Sequence, residues 1–386
     1  MSDQPESEPQ GTRPRRAPVP PGLPGAAPAL LGYAAVRALG AAILAVAAAV
    51  QGKDALHRLN GRWDSVWYVR IAENGYGYEV TLPDGSVHSD LAFFPLLPAL
   101  ERAVSEVLPV GAATAGLVIG WIAAFAAAWG VYAVGAHVAG QRAGVLLAVL
   151  WGVYPTAFVQ SMAYTETLFT ALAAWSLYAV LTDRWITAGT LCALAGLTRP
   201  SAAALVAALG VAGLVRLFRR DLTWRTAVGV VVAPLGWLGY VVFVAVRQGS
   251  PTAYFEVQAA WGNNIDGGVA LARFVGAQLS GPVPLAGIGL VAAIGLLLWV
   301  VWLCVKQRQP LPLLVYGAGI VVISLIGAAY FGSRPRLIMP AFPLLLPAAV
   351  ALARPARRTT AAPAVALLAV ASGAYGAFTL LGSGPP

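Results

Sequence analysis

Long apolar segments occupy most of this 386-residue chain and constrain its fold more than any other feature. They cover residues 28–50, 112–137, 142–158, 165–182, 185–198, 201–217, 226–246, 282–305, 311–330, 337–353 and 360–381. A helix needs about 20 apolar residues to cross a bilayer, and only helices or closed barrels satisfy their backbone hydrogen bonds in lipid. The segments lack the alternation of barrel strands. We therefore predict an all-α, polytopic transmembrane helix bundle of about eleven spans.

The scarcity of charge supports the same fold class. Only 11% of the residues are charged and 59% are hydrophobic, whereas a soluble domain has about 25% charged residues. The net charge of +9 would suggest a nucleic-acid partner in a soluble protein, but here we expect membrane lipids and no nucleic acid. Cys192 and Cys304 lie inside apolar segments and the histidines are scattered. We predict no metal site and no cofactor.

The distribution of charge predicts the topology. Residues 1–26 are polar and Pro-rich, which predicts a disordered cytoplasmic tail before a single membrane domain, residues 27–381. With a cytoplasmic N-terminus, fourteen of the 25 Lys and Arg residues but five of the 16 acidic residues fall on the inner side. This agrees with the positive-inside rule. The two long loops, residues 51–111 and 247–281, then lie outside the cytoplasm. They are rich in aromatic residues, and we predict that they form the active-site face.

Two short apolar segments flank Arg199. Residues 185–198 and 201–217 would span roughly 21–26 Å as helices, less than the ~30 Å of the hydrocarbon core. Either Arg199 is recessed in the membrane, or the two segments form a re-entrant hairpin and nine spans remain. In both cases Arg199 needs a polar cavity or an anion.

An acidic residue lies among aromatic residues soon after the first apolar segment. Residues 63–73 predict a short interfacial helix, with Trp63 and Trp67 on one face and Asp64 and Tyr68 on the next. Asp64 is the candidate catalytic carboxylate. The alternative is that Asp64 only caps this helix, because Asp is a favoured N-cap residue.

Three arginines stand at the tips of short outer turns, against the positive-inside trend: Arg199, Arg334 and Arg336. The planar donor fork of Arg suits phosphate, although snorkelling towards lipid headgroups is an alternative. Glu166, which follows Tyr164, is a further candidate, with ordinary helix-dipole stabilisation as its alternative role. A base with phosphate-binding arginines suits transfer of a group from a lipid phosphate to a hydroxyl. The aromatic residues would then stack on sugar rings or hold a prenyl tail.

The stretch Trp63-Asp64-Ser65-Val66-Trp67-Tyr68, with Ile71-Ala72 and Gly75-Tyr76 after it, resembles the W-D-x-x-W-Y…I-A…G-Y motif of PIG-V-type mannosyltransferases of the GT-C superfamily. Weaker matches follow in order at residues 94–98, 154–155, 164–169, 196–200 and 333–337, and the resemblance runs from about residue 28 to residue 353. It implies a GT-C fold and an inverting, extracytoplasmic glycosyltransferase that takes mannose from a polyprenyl-phosphate donor without a nucleotide sugar. It also implies that Asp64 is the base. Ser65 occupies the neighbouring position, so the paired acids of many GT-C enzymes are not expected.

These observations lead to a set of predicted roles. Asp64 acts as general base, and Arg199, Arg334 and Arg336 bind the donor phosphate. The sugar or acceptor would contact Glu166, Trp63, Trp67, Tyr68 and Tyr164. The acceptor would be a glycolipid, a lipoglycan or a protein hydroxyl. Two alternatives stay open: a transferase of the same architecture for glucose or arabinofuranose, and a lipid-phosphate carrier or flippase, for which repeated broken helices are expected.

Overall fold

The protein is a bundle of helices with one short β-hairpin. The computed structural model describes residues 22–384, except Asp84 and Ala329. The helices are α1 (Leu23–Val50), α2 (Ala55–Asn60), α3 (Asp64–Asn74), α4 (Leu96–Val107), α5 (Ala112–Ala139), α6 (Gln141–Gly152), α7 (Thr165–Leu181), α8 (Trp185–Gly196), α9 (Ala202–Phe218), α10 (Trp224–Val232), α11 (Leu235–Gln248), α12 (Ala253–Ala260), α13 (Val269–Ser280), α14 (Pro284–Lys306), α15 (Leu311–Ile326), α16 (Arg334–Ile338), α17 (Leu346–Ala353) and α18 (Arg358–Leu381). Turns of 3₁₀ helix cover Asp90–Ala92, Ala157–Ser161, Phe331–Ser333, Phe342–Leu345 and Pro355–Arg357.

Every predicted apolar segment contains helix, but the helices differ in length. Among the described residues, five are long and apolar enough to cross a membrane: α1, α5, the α10–α11 pair, α14 and α18. A sixth candidate is the pair of segments 331–338 and 342–353, which is bent by 78°. Helices α7, α8, α9, α13 and α15 are apolar but shorter. The multi-span helical architecture is therefore present, while the number of eleven spans, or nine with a re-entrant hairpin at α8–α9, stays a prediction.

The first helix begins earlier than the sequence pattern indicated. Residues 1–21 of the predicted tail lie outside the described residues, but α1 starts at Leu23, inside the predicted boundary at residue 26. Pro24 occupies the first turn, where the missing N–H costs no hydrogen bond and the fixed φ favours a helix.

The two aromatic-rich loops are folded and pack against each other. The first contains α2, α3, α4 and the antiparallel hairpin of β1 (Glu79–Thr81) and β2 (Val87–Ser89), which the all-α prediction did not include. Buried Asp90 fixes the start of this hairpin, because its carboxylate accepts from the amides of Gly77 and Tyr78. The second loop contains α12 and α13. Trp261 joins the loops, since its indole N–H donates to the Ser89 carbonyl at 3.0 Å.

Helix α7 lies in the centre of the bundle, between α5, α8, α9 and α15. Close packing depends on small residues, as is usual between membrane helices. A Cβ on Gly189 of α8 would collide with the carbonyl of Gly229 in α10, and one on Gly236 would collide with the carbonyl of Ala193. The N-terminus of α7 meets α3, the α8–α9 turn and α16 at one end of the bundle.

Candidate functional site: an ion cluster at the start of α7

Asp64 is the first residue of α3 and follows a sharp turn of the chain. The preceding Trp63 has φ 54° and ψ −127°, a conformation that bulky side chains rarely adopt. The Asp64 amide donates to the Tyr164 hydroxyl at 3.2 Å, and its carboxylate oxygen Oδ2 lies 3.0 Å from Nη1 of Arg336. Because the Asp64 side chain is 30% exposed, a ligand can reach the carboxylate from outside the protein.

The capping alternative for Asp64 receives no support from this geometry. The N-cap residue of α3 is Trp63, and no side chain caps this end of the helix. Asp64 still benefits from the positive end of the helix dipole. Its direct charged partner, however, is a guanidinium from a distant part of the chain.

Glu166, in the first turn of α7, is buried and contacts two arginines. Its Oε1 lies 3.0 Å from Nη1 of Arg199 and 3.3 Å from Nε of Arg336. Although both nitrogens are buried, neither has an acceptor in hydrogen-bond geometry. Each guanidinium has five N–H donors, more than these ion pairs use, so both arginines have capacity for oxygen atoms of a ligand.

We call Asp64, Arg336, Glu166 and Arg199 the ion cluster. Its residues come from α3, α16, α7 and the α8–α9 turn, and the two arginine side chains are each 11% exposed. Two carboxylates balance two guanidiniums. Pairing of this kind is required for buried charges, because an isolated one costs several kcal/mol. An anion bound at the cluster would add a third negative charge to the two carboxylates that face the two guanidiniums.

Two tyrosines line the cluster. The Tyr164 ring centre lies 5.1 Å from Cζ of Arg336, within the range of a cation–π interaction. The Tyr68 hydroxyl lies 3.3 Å from Oγ1 of Thr165. Burial, reinforced by the neighbouring Asp64 carboxylate, holds the pKa of both phenols well above its usual value. They therefore stay protonated and can donate hydrogen bonds.

Arg334, the third arginine of the predicted phosphate site, does not join the ion cluster. Its guanidinium donates to the carbonyls of Ser324, Leu325 and Gly327, the last at 2.7 Å. These carbonyls lie at the C-terminal end of α15, where backbone acceptors lack helical partners and a cation is favoured by the dipole. The structure thus gives Arg334 a helix-capping contact.

Trp63 and Trp67, the two tryptophans predicted to contact the sugar or acceptor, contact other side chains of the outer loops. Trp63 lies beside the guanidinium of Arg62, whose Cζ is 4.0 Å from its ring centre. Trp67 stacks on Phe93 with centroids 5.4 Å apart and meets the edge of Trp261 at 5.0 Å. Trp261 was not among the predicted site residues, although the aromatic content of the second loop was a signal for it. This group ties the two loops together next to the ion cluster.

No group of three or more His, Cys, Asp or Glu side chains in the described part of the chain could hold a metal ion. The carboxylates that come together here, Asp64 and Glu166, each face a guanidinium instead.

Comparisons with known proteins agree with this architecture. The family described as mannosyltransferase (PIG-V) matches residues 37–245, which contain Asp64, Glu166 and Arg199 but not Arg336. No curated protein matches the chain. Among solved structures, ArnT from Cupriavidus metallidurans bound to undecaprenyl phosphate matches with a TM-score of 0.53 and 16% identity, covering 84% of this chain and 62% of that one. ArnT from the same organism in the apo state gives a TM-score of 0.50 and 18% identity, with coverage of 76% and 54%.

These matches confirm the predicted membrane fold of GT-C type. The chain spans less than two thirds of the length of either ArnT chain. At this identity the likeness concerns the fold alone.

Proposed function

Because the chain belongs to the PIG-V mannosyltransferase family, we propose that it transfers a mannosyl group from a polyprenyl-phosphate donor to an acceptor hydroxyl on the extracytoplasmic face of the membrane. The ion cluster is the observation on which this proposal rests. It combines a half-buried carboxylate, Asp64, with two arginines whose guanidiniums have more N–H donors than their ion pairs use. That combination suits a base next to a phosphate site.

The reaction needs a base and a leaving-group site on opposite sides of one sugar carbon. The acceptor oxygen forms a bond to the anomeric carbon while the bond from that carbon to the phosphate oxygen breaks, which inverts the configuration. Asp64 takes the acceptor proton, a contribution typically worth 10²–10⁴-fold in rate. Arg199 and Arg336 stabilise the negative charge that the departing polyprenyl phosphate acquires.

The order of residues in the ion cluster fits this division of roles. Asp64 contacts Arg336, Arg336 contacts Glu166, and Glu166 contacts Arg199. Asp64 and Arg199 are therefore the two ends of the cluster. A sugar placed along it would present its anomeric carbon to Asp64 and its phosphate to the arginines. Glu166, Tyr68 and Tyr164 would contact the sugar or acceptor hydroxyls, with Trp63 and Trp67 as the surrounding aromatic wall.

An apolar groove along α7 has the character that an isoprenoid chain requires. It has a volume of about 470 Å³ and is lined by Leu168, Leu172 and Trp175 of α7 with apolar side chains of α4, α5 and α8. Leu168 lies two residues after Glu166 and therefore on nearly the opposite side of α7, so the groove begins at the same end of α7 as the ion cluster but does not open onto it. The solved ArnT structure that resembles this chain has undecaprenyl phosphate bound, which supports the same donor class.

The test is transfer by the purified protein in lipid nanodiscs, with radiolabelled polyprenyl-phosphate mannose as donor and a membrane lipid extract as acceptor source. We expect mannosylated product with the wild type. Asp64→Asn should lower kcat about 10²–10⁴-fold without weakening the binding of the donor. Asp54→Asn is the matched control, because Asp54 caps α2 in the same loop and should keep near wild-type turnover.

Wild-type-like turnover of Asp64→Asn would overturn the assignment of the base.

A panel of polyprenyl-phosphate donors carrying glucose or arabinofuranose in place of mannose decides which sugar is transferred, since the choice of sugar depends on a few pocket contacts. Mass spectrometry of lipids and glycans from a deletion strain would identify the acceptor as the under-mannosylated species. If the wild type transfers none of these sugars, the proposed function is refuted.

A further inference from the structure

The turn immediately before Asp64 is held by a side chain that cannot contact substrate. Ser65 is fully buried, and its Oγ donates to the Arg62 carbonyl at 2.6 Å and accepts from the Arg62 amide at 3.2 Å. Between these residues, Trp63 has its positive φ of 54°. Such conformations cost about 1–3 kcal/mol and persist only when the surroundings enforce them. The Ser65 bonds are one enforcing element.

The second enforcing element comes from the far end of the chain. The Arg62 guanidinium donates to the carbonyls of Leu380 at 3.1 Å, Gly382 at 2.9 Å and Ser383 at 3.4 Å. These groups lie at the C-terminal end of α18, where helix carbonyls lack intrahelical partners and a cation is stabilised by the dipole. The same guanidinium covers the Trp63 ring at 4.0 Å. Arg62 is thus fixed at both its backbone and its side chain.

From this arrangement we infer that Arg62 is a positioning residue for Asp64, held in place by the end of α18. The α18 carbonyls fix the guanidinium, the guanidinium and Ser65 fix the turn at Trp63, and the turn directs Asp64 towards Arg336 and Tyr164. Arg62 itself forms no bond to the ion cluster among the described contacts. Helix α18 lies beyond residues 37–245, the part of the chain that the family match covers.

The kinetic consequence rests on the proposed function. Releasing the turn shifts the carboxylate relative to the sugar, and a displacement of about 1 Å costs about a hundredfold in rate. We expect Arg62→Met to lower kcat by about this factor while the KM for polyprenyl-phosphate mannose stays near that of the wild type, because the phosphate-binding arginines are untouched. A purely structural role would lower the yield of active protein without this split between kcat and KM.

Lys53 provides the matched control. Its Nζ donates to the Leu381 carbonyl at 2.7 Å, so it holds the same end of α18, but its described hydrogen bonds reach only Leu381 and Gln51 and not the turn at Trp63. Lys53→Met should retain near wild-type kcat. If Lys53→Met and Arg62→Met lower kcat equally, tethering of α18 accounts for the effect and the positioning role is refuted.

A second readout needs no sugar substrate. In an Asp64→Cys background, the rate of thiol modification by a charged methanethiosulfonate reports the exposure of position 64; the native Cys192 and Cys304 are buried. We expect Arg62→Met to change this rate several-fold and Lys53→Met to leave it unchanged. An unchanged rate in Arg62→Met refutes the inference whatever the substrate.

The two readouts separate failure of this inference from failure of the proposed function. If the wild type transfers no sugar but the thiol rate responds to Arg62→Met, the positioning role stands and the proposed function falls. Should Arg62→Met fail to give monodisperse protein, Arg62→Lys replaces it, since an ammonium keeps the charge but lacks the planar fork that reaches three carbonyls. The same outcomes then apply.

Discussion

The charge balance of the ion cluster makes a sharp prediction for Glu166→Gln. Glu166 is 2% exposed and contacts both Arg199 and Arg336. The substitution keeps the size and shape of the side chain and removes one negative charge. Two guanidiniums then face a single carboxylate, Asp64. The folded protein without ligand should lose stability, while its affinity for a phosphate should rise.

Both magnitudes follow from the burial of the cluster. Removing one partner from a buried ion pair costs roughly 3–5 kcal/mol of folding stability. For a phosphate about 6 Å from Glu166, and an effective dielectric constant of about 20, the lost repulsion is about 2.8 kcal/mol. That equals about a hundredfold in Kd. Since the arginines are 11% exposed, solvent screening reduces this figure less than it would at the surface.

The assay measures the thermal unfolding temperature and the Kd for polyprenyl monophosphate, the expected product, in nanodiscs. Glu166→Gln should have a lower unfolding temperature than the wild type without ligand and a larger increase when the lipid is added. Glu106→Gln is the control. Glu106 is 64% exposed and forms a surface pair with Arg102, and such pairs contribute at most about 1 kcal/mol.

Unchanged or weaker binding of polyprenyl monophosphate by Glu166→Gln would refute the placement of the phosphate at these arginines. Binding of the complete donor, polyprenyl-phosphate mannose, tests whether Glu166 also contacts the sugar. If Glu166 also holds the sugar, as predicted, the gain in affinity for polyprenyl-phosphate mannose should be smaller than the gain for the monophosphate.

Two further predictions concern residues outside the cluster. Burial raises the pKa of Glu101 to about 9 from 4.5, with a smaller contribution from Glu73; the folded state therefore holds a proton that the unfolded state releases, and stability should fall between about pH 4.5 and pH 9 by up to about 1.4 kcal/mol per pH unit. Glu101→Gln should remove this slope in unfolding temperature measured from pH 5 to pH 8, and an unchanged slope would exclude Glu101 as its source. Arg334→Lys should lower the unfolding temperature, because carbonyls such as that of Gly327 lose their guanidinium, yet leave the Kd for polyprenyl monophosphate unchanged. A loss of affinity for polyprenyl monophosphate would instead place Arg334 in the phosphate site.

Much of the fold could be predicted because the bilayer imposes it directly. A long apolar run must become a helix in lipid, since its backbone groups have no other hydrogen-bonding partners there. All the segments so predicted contain helix. The β-hairpin was missed because strands of three residues, such as Glu79–Thr81, are too short to show a reliable alternation.

Arg334 and Arg336 have different contacts in the structure, and the sequence pattern did not predict this difference. The two residues are separated only by Pro335, and the sequence suggested the same role for both. In the short helix α16, residues two apart point to nearly opposite sides. One guanidinium consequently reaches the end of α15 and the other reaches the ion cluster. Which residue does which depends on where α16 lies.

The sequence alone was enough to predict a multi-span helical membrane protein and to reveal its family motif. It also gave the charged residues of the candidate site, which are Asp64, Glu166, Arg199, Arg334 and Arg336. Residue types and hydrophobicity are local properties, so they can be read from the order of residues. The tertiary structure alone decided that four of these charges meet and that Arg334 does not join them. It also decided that Arg62 contacts the end of α18, more than 300 residues away. Helix packing creates such contacts, because it brings together side chains whose separation along the chain carries no information about their distance.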